Sequence, residues 1–138
     1  MNSAHSLAKT EKRQQNKEFI LIVDDEFDIV DSVKIWLERH DFAVCGFTDP
    51  LQALEFFKHN SGKINLVLSD IRMPQINGYE LVRKIKILQP KVKVMLMSAF
   101  EINEEEFSRV FPSVETGLIS KPVSMKSLIR YIENYLAK

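Results

Sequence analysis

The sequence predicts an α/β fold: a five-stranded parallel sheet with helices on both faces. Two observations predict it. Short apolar runs recur along the chain at Phe19–Val23, Ala43–Phe47, Ile64–Ser69, Lys93–Met97 and Gly117–Ser120. Between and after them lie stretches whose apolar residues recur at helical spacing. Strands that alternate with helices pair in parallel, because a parallel connection needs a crossover about as long as a helix.

The first run, "FILIV", is apolar at every position, as a strand buried on both faces should be. The next segment, "FDIVDSVKIWLERH", is helical, with Ile29, Val33, Trp36 and Leu37 expected on one buried face. The second strand carries Cys45, expected in the core. Asp49 then Pro50 marks a helix start: a side chain that caps, then a residue that needs no N–H. Gln52 stands three residues after Asp49, as in a capping box, and "PLQALEFFKH" follows as helix. His40 and His59 close the first two helices, where a partly positive ring suits the dipole. "YELVRKIKIL" is the third helix, and Met95 and Met97 are core positions of the fourth strand. "EEEFSRVF" gives a weaker fourth helix, preceded by the acidic start "EINEEEF" (Glu101–Phe107). Ser124 is the expected cap of the last helix, "MKSLIRYIENYLA". Residues 1–17 are polar and read as a flexible tail, with residues 18–138 as the domain. His5, in that tail, is assigned no role.

Composition removes several classes. The 138 residues carry 19 basic and 19 acidic side chains, so no basic excess points to nucleic acid. No apolar run approaches the roughly 20 residues of a membrane span, and the N-terminal stretch lacks the apolar core of a secretory signal. A single cysteine cannot form an internal disulfide, which fits a reducing, cytoplasmic setting.

If the strand order is 2-1-3-4-5, the first and third strands are neighbours and the polar residues converge on one edge. Ligands of such sheets bind beyond the C-terminal strand ends, where the strand order reverses. Asp24 and Asp25 follow the first strand, Asp70 the third, Ser98 the fourth and Lys121 the fifth. Three aspartates brought within a few ångströms would oppose one another's ionisation. A divalent cation reverses that. Magnesium takes oxygen ligands, keeps several waters, and commonly bridges carboxylates to phosphate oxygens. A carboxylate fixed at the sheet edge, as Asp70 would be, can accept a phosphoryl group as an acyl phosphate. Lys121 would neutralise one phosphoryl oxygen, and the Ser98 hydroxyl would donate to another.

Together these residues resemble the receiver domain of two-component response regulators, from about Phe19 to the C-terminus. The resemblance rests on Asp24/Asp25, on Asp70 followed by "MP" and Gly78, on Ser98–Ala99, and on Lys121–Pro122, in family order. It implies a flavodoxin-like fold and a signalling module rather than an enzyme, with Asp70 taking phosphate from a histidine kinase or phosphotransfer protein. It implies a Mg2+ site in which Asp25 is the direct ligand, Asp24 acts through water, and Asp70 and the backbone carbonyl of Arg72 contribute. Ser98 and Lys121 would sense the phosphoryl group. The face built by the fourth helix, fifth strand and fifth helix would bind a downstream protein, or a second copy on phosphorylation. The chain would be a stand-alone receiver or one excised from a longer protein.

The sequence departs from the family at one place. Receivers usually carry Tyr or Phe three residues before the lysine, and here that residue is Leu118. A smaller or differently located response to phosphate is therefore expected. Phe100 and Arg72, two residues past Ser98 and Asp70, flank the path of the hydrolytic water in the family. Phe100 is expected to exclude that water, with Arg72 drawn toward Glu26. Three rival readings fit the residues less well. A haloacid-dehalogenase-type phosphatase wants Asp-x-Asp-x-Thr on its first strand, where this chain has "DDEFD". A pseudo-receiver that only binds partners is disfavoured by the intact Asp70, Lys121 and acidic pair. A flavin binder would need a phosphate-cradling first loop, which three acids would spoil.

Overall fold

Alternation along the strands explains why the apolar runs are continuous. The structure, a computed structural model, describes residues 17–98, 105, 117–121 and 123–137. In β1 (Phe19–Val23), Ile20 and Ile22 face one helical layer while Leu21 and Val23 face the other. The same phase runs through β3 (Leu66–Asp70) and β4 (Lys93–Ser98): Leu66, Leu68, Met95 and Met97 join the first layer, Val67, Val94 and Leu96 the second. Strands covered on both faces take nearly continuous apolar runs. The two edge strands are β2 (Ala43–Phe47), half-buried throughout, and β5 (Gly117–Ser120).

All pairings are parallel and the order is β2-β1-β3-β4-β5, as expected from sequence. On one side lie α1 (Phe27–Arg39) and α4 (Met125–Ala137), which bury Val30, Val33, Leu37, Leu128, Ile129 and Ile132. On the other lie α2 (Pro50–Asn60) and α3 (Gly78–Leu88), which bury Ala53, Phe57, Leu81, Val82 and Ile85. Each such large side chain contributes roughly 1.5–3 kcal/mol by leaving water. The expected fourth helix lies outside the described residues except for Glu105, which is helical and exposed. The expected tail lies outside them except for Lys17.

The caps form as their residue types require. Asp49 Oδ1 accepts from the N–H of Leu51 at 2.8 Å and of Gln52 at 3.4 Å. Ser124 Oγ accepts from the N–H of Ser127 at 3.1 Å. Asn77, which the sequence reading passed over, caps α3 through the N–H of Glu80 at 2.9 Å. At the other end of α1, Asp41 adopts a left-handed φ of 66°. There Phe42 N–H reaches Leu37 O and Asp41 N–H reaches Glu38 O, closing a Schellman motif. His40 is the C-cap of α1, with Nδ1 2.8 Å from Trp36 O, and His59 contacts Glu55 in the last turn of α2.

Three expectations differ from the structure. Cys45 is half-buried on the edge strand β2, packed against the α2/α3 layer rather than inside the core. Trp36 is not a core residue: it is 39% exposed and stacks on His40, ring centroids 5.8 Å apart. The buried stripe of α1 runs through Val30, Val33 and Leu37. Trp36 lies one residue, about 100° of helical rotation, away from Leu37 and falls on the flank. The third strand begins at Leu66 rather than Ile64 and extends to Asp70. Asn65 forms its entry, accepting from Phe19 N–H through Oδ1 at 2.7 Å and donating its own N–H to Phe19 O at 2.9 Å.

Candidate functional site

The strand ends are tied edge to edge by backbone hydrogen bonds. Asp24 N–H donates to Phe47 O at 3.2 Å, Ile71 N–H to Met97 O at 3.1 Å, and Lys121 N–H to Ser98 O at 2.8 Å. These bonds continue the sheet just past its strands and fix where each polar side chain starts. Alternation then sets their direction. Asp24 is in phase with Ile22, Asp70 with Leu68 and Lys121 with Ile119, all residues of the α1/α4 side.

These three meet. Lys121 Nζ lies 2.9 Å from Asp24 Oδ2 and 3.3 Å from Asp70 Oδ1. Asp24 is fully buried, and its other oxygen, Oδ1, accepts from Glu26 N–H at 3.0 Å. A buried carboxylate is tolerable on those terms, because both oxygens are satisfied and one partner is a cation. Asp25 is exposed. Carboxylate oxygens of Asp24, Asp25 and Asp70 all lie within 4.8 Å of one another. Hard oxygen donors so crowded, one open to water, fit a magnesium ion that keeps part of its hydration shell.

The electrostatics follow from this crowding. Burial pushes the Asp70 carboxyl above the usual carboxylate range, and the Asp24 charge adds to the rise. The Lys121 charge, its hydrogen bond and the Ile71 N–H oppose the rise without cancelling it. Burial by itself would lower the Lys121 pKa, but the hydrogen bonds and charges of Asp24 and Asp70 carry it upward. Lys121 is therefore held as an ammonium between two acids.

Ser98 ends β4 and is buried at the same edge. Arg72, two residues past Asp70, and Glu26, two past Asp24, are exposed, Glu26 at the N-cap of α1 without a side-chain capping bond. Leu118 is half-buried and packs against the α2/α3 layer. Phe100 lies outside the described residues. Sequence reasoning passed over Ser69, whose hydroxyl donates to Asp70 O at 2.9 Å. The available signal was a polar residue at a strand position covered on both faces.

Known proteins place this arrangement. The family model of the response regulator receiver domain matches residues 20–133. The response regulator SaeR of Staphylococcus epidermidis is 31% identical over 119 residues, covering 86% of this chain and 50% of that protein. The sensor kinase CckA of Brucella abortus is 28% identical over 124 residues, covering 86% of this chain and 12% of that one. The chain thus spans about half the length of the SaeR relatives and a small part of CckA. Among solved structures, a CheY-like receiver domain protein from Methanospirillum hungatei JF-1 superposes with a TM-score of 0.77 at 30% identity, over 88% of this chain and 95% of that one. A receiver domain protein from Clostridium thermocellum gives 0.78 at 25% identity, over 87% and 94%. Among the described residues no helix is long and apolar enough to cross a membrane. With acids, lysine and hydroxyl gathered at one sheet edge and the family match running through all of them, this chain belongs to the response regulator receiver domains, which are phosphoacceptor signalling modules rather than classical enzymes.

Proposed function

We propose that residues 18–138 receive a phosphoryl group on Asp70 from the phosphohistidine of a sensor kinase or phosphotransfer protein, and pass the change to a partner-binding face. The observation that carries this is the meeting of Asp24, Asp25, Asp70 and Lys121 at one sheet edge. In the transfer, an Asp70 carboxylate oxygen forms a bond to phosphorus as the nitrogen–phosphorus bond breaks. The imidazole leaves with that electron pair and takes up a proton.

Asp25 and Asp70, with the Arg72 carbonyl, would hold Mg2+. Asp24 would act through water, since both of its oxygens already accept hydrogen bonds. When bound, the ion supplies positive charge against the carboxylates and the incoming phosphoryl oxygens. Lys121 sits on Asp70 already, so it needs only a small displacement to pair with a phosphoryl oxygen. Ser98 would donate its hydroxyl to another. Phe100 would shield the acyl phosphate from water, and the phosphoform of Phe100→Ala should decay faster than that of the native chain.

Leu118 makes the readout unusual. A phosphoryl group shifts a population only through contacts that differ between the two states. An aliphatic residue at 118 removes the ring movement common in the family, so the change should run through Ser98 and the segment after it. A second copy or a downstream protein would read that face. Residues 1–17 would serve as a tail, and the reducing setting would be the cytoplasm.

Intact mass after incubation with acetyl phosphate and Mg2+ tests the proposal. One phosphoryl group should add to the native chain and none to Asp70→Asn. Uptake by Asp70→Asn at the native rate would overturn the assignment. Sustained release of phosphate from many small esters would favour a phosphatase. No uptake by the native chain would favour a pseudo-receiver.

A further inference from the structure

The peptide unit that follows Asp70 is held at both of its polar ends. Its N–H, on Ile71, donates to Met97 O at 3.1 Å. Its carbonyl, on Asp70, accepts the Ser69 hydroxyl at 2.9 Å. Ser69 is fully buried, so this bond is made away from water. Gly78 backs the same unit: a Cβ there would overlap the Asp70 carbonyl oxygen and come within 2.9 Å of Ile71 Cα. The Gly78 N–H then donates to Ile71 O at 2.7 Å, pinning the next peptide as well.

A peptide group is planar, so fixing both ends of one plane fixes ψ of the residue before it and φ of the residue after it. Here those residues are Asp70 and Ile71. The first torsion sets the chain from which the Asp70 carboxylate projects. The second sets the path toward Arg72. One plane therefore links the acceptor carboxylate to the carbonyl two residues on.

We infer that Ser69 is a positioning residue: its hydroxyl holds the Asp70–Ile71 peptide so that the Asp70 carboxylate and the Arg72 carbonyl face the same point. The inference rests on the reading of Asp70 as phosphoacceptor. Serine suits the place. It is short enough for a doubly covered strand position and brings the donor that the Asp70 carbonyl takes. Alanine there would remove that donor from a buried carbonyl and free the plane to tilt. Small tilts matter, because catalytic groups displaced by about 1 Å can lose on the order of a hundredfold in rate.

The test uses the whole chain with Ser69→Ala, Ser69→Thr and Ser69→Cys. Two quantities are measured: amide exchange at Ile71 and Arg72 without metal, and the rate of phosphoryl uptake from acetyl phosphate at saturating Mg2+, per folded molecule. Ser69→Ala should speed exchange and slow uptake, each by roughly three- to tenfold, the size of one lost hydrogen bond. Ser69→Thr, which keeps the hydroxyl, should restore both to within about twofold. Ser69→Cys, a weaker donor of similar size, should fall between, and decides the matter if the alanine variant does not fold. A variant that only lowers Tm, with native uptake per folded molecule, overturns the inference. So does a threonine variant as impaired as alanine, because volume rather than the hydroxyl would then matter. If the native chain takes up no phosphoryl group, the phosphoacceptor reading fails and this inference with it. Native uptake that Ser69→Ala leaves unchanged sinks this inference alone.

Discussion

Lys121→Ala should destabilise the chain strongly without metal and much less with it. The perturbation removes an ammonium lying 2.9 Å from Asp24 and 3.3 Å from Asp70, with its side chain only 17% exposed. At an effective dielectric near 20, each contact carries about 5–6 kcal/mol of attraction before desolvation is subtracted. Taking the ammonium out of water offsets much of that, and removing one member of a buried pair typically costs about 3–5 kcal/mol. Asp70 can recover part of the loss by taking up a proton, so about 3 kcal/mol at neutral pH is the expected net effect. The pH dependence follows in sign. The Asp70 pKa is already raised in the folded chain, and without Lys121 its main opposing influence is gone. A group whose folded pKa is raised stabilises below its unfolded pKa, and that contribution is lost as pH rises through the folded value. The deficit of the variant should therefore grow from mildly acidic toward neutral pH.

Urea unfolding followed by far-ultraviolet circular dichroism measures this, at several pH values, with and without millimolar Mg2+. Metal should restore more stability to Lys121→Ala than it adds to the native chain, because the cation replaces charge the variant lacks. A loss under about 1 kcal/mol would place the pair with ordinary surface salt bridges and refute the account of a buried, mutually dependent cluster. An equal gain from Mg2+ in both proteins would refute the claim that lysine and metal act on the same carboxylates.

Three further outcomes are expected. Asp41→Gly should stabilise the fold by about 0.5–1 kcal/mol, since the left-handed cap at φ 66° favours a residue without Cβ; a lower urea midpoint would contradict this. Lys93→Met should cost about 1–2 kcal/mol and fray α4, because Lys93 Nζ donates to Tyr135 O and Leu136 O at 2.9 and 3.1 Å and opposes the helix dipole; amide exchange in the last turn of α4 reads it directly. Cys45 should alkylate more slowly than a free thiol at neutral pH and speed up as pH rises, because burial holds its pKa above the ordinary value; a rate equal to that of a small thiol would count against the half-buried placement.

How much of this was legible in the sequence depends on what each feature needs. A strand covered on both faces is apolar throughout, so β1 falls where the run "FILIV" puts it, and the edge strands β2 and β5 match the runs "AVCGF" and "GLIS". The strand ends carry the site because alternation keeps Asp24, Asp70 and Lys121 in phase, and that phase is visible in the residue numbers alone. Trp36 was misplaced for a related reason. A bulky apolar residue next to a buried leucine satisfies a helical pattern from either side, and only the packing of α1 on the sheet decides which residue enters the core. Ile64 is buried and apolar, yet the third strand starts after it, because Asn65 pairs with Phe19 through both its side-chain oxygen and its N–H at the strand entry. A side chain that imitates backbone pairing cannot be told from a strand residue by hydropathy. The Ser69 hydroxyl lies further from reach still. Its partner is a backbone carbonyl one residue along, and Gly78, at the start of α3, packs closely on that same carbonyl. Hydropathy patterns report what a side chain avoids, namely water. The orientation of a single peptide plane leaves no such trace, although a receiver's chemistry would depend on it as much as on the acids that sequence displays openly.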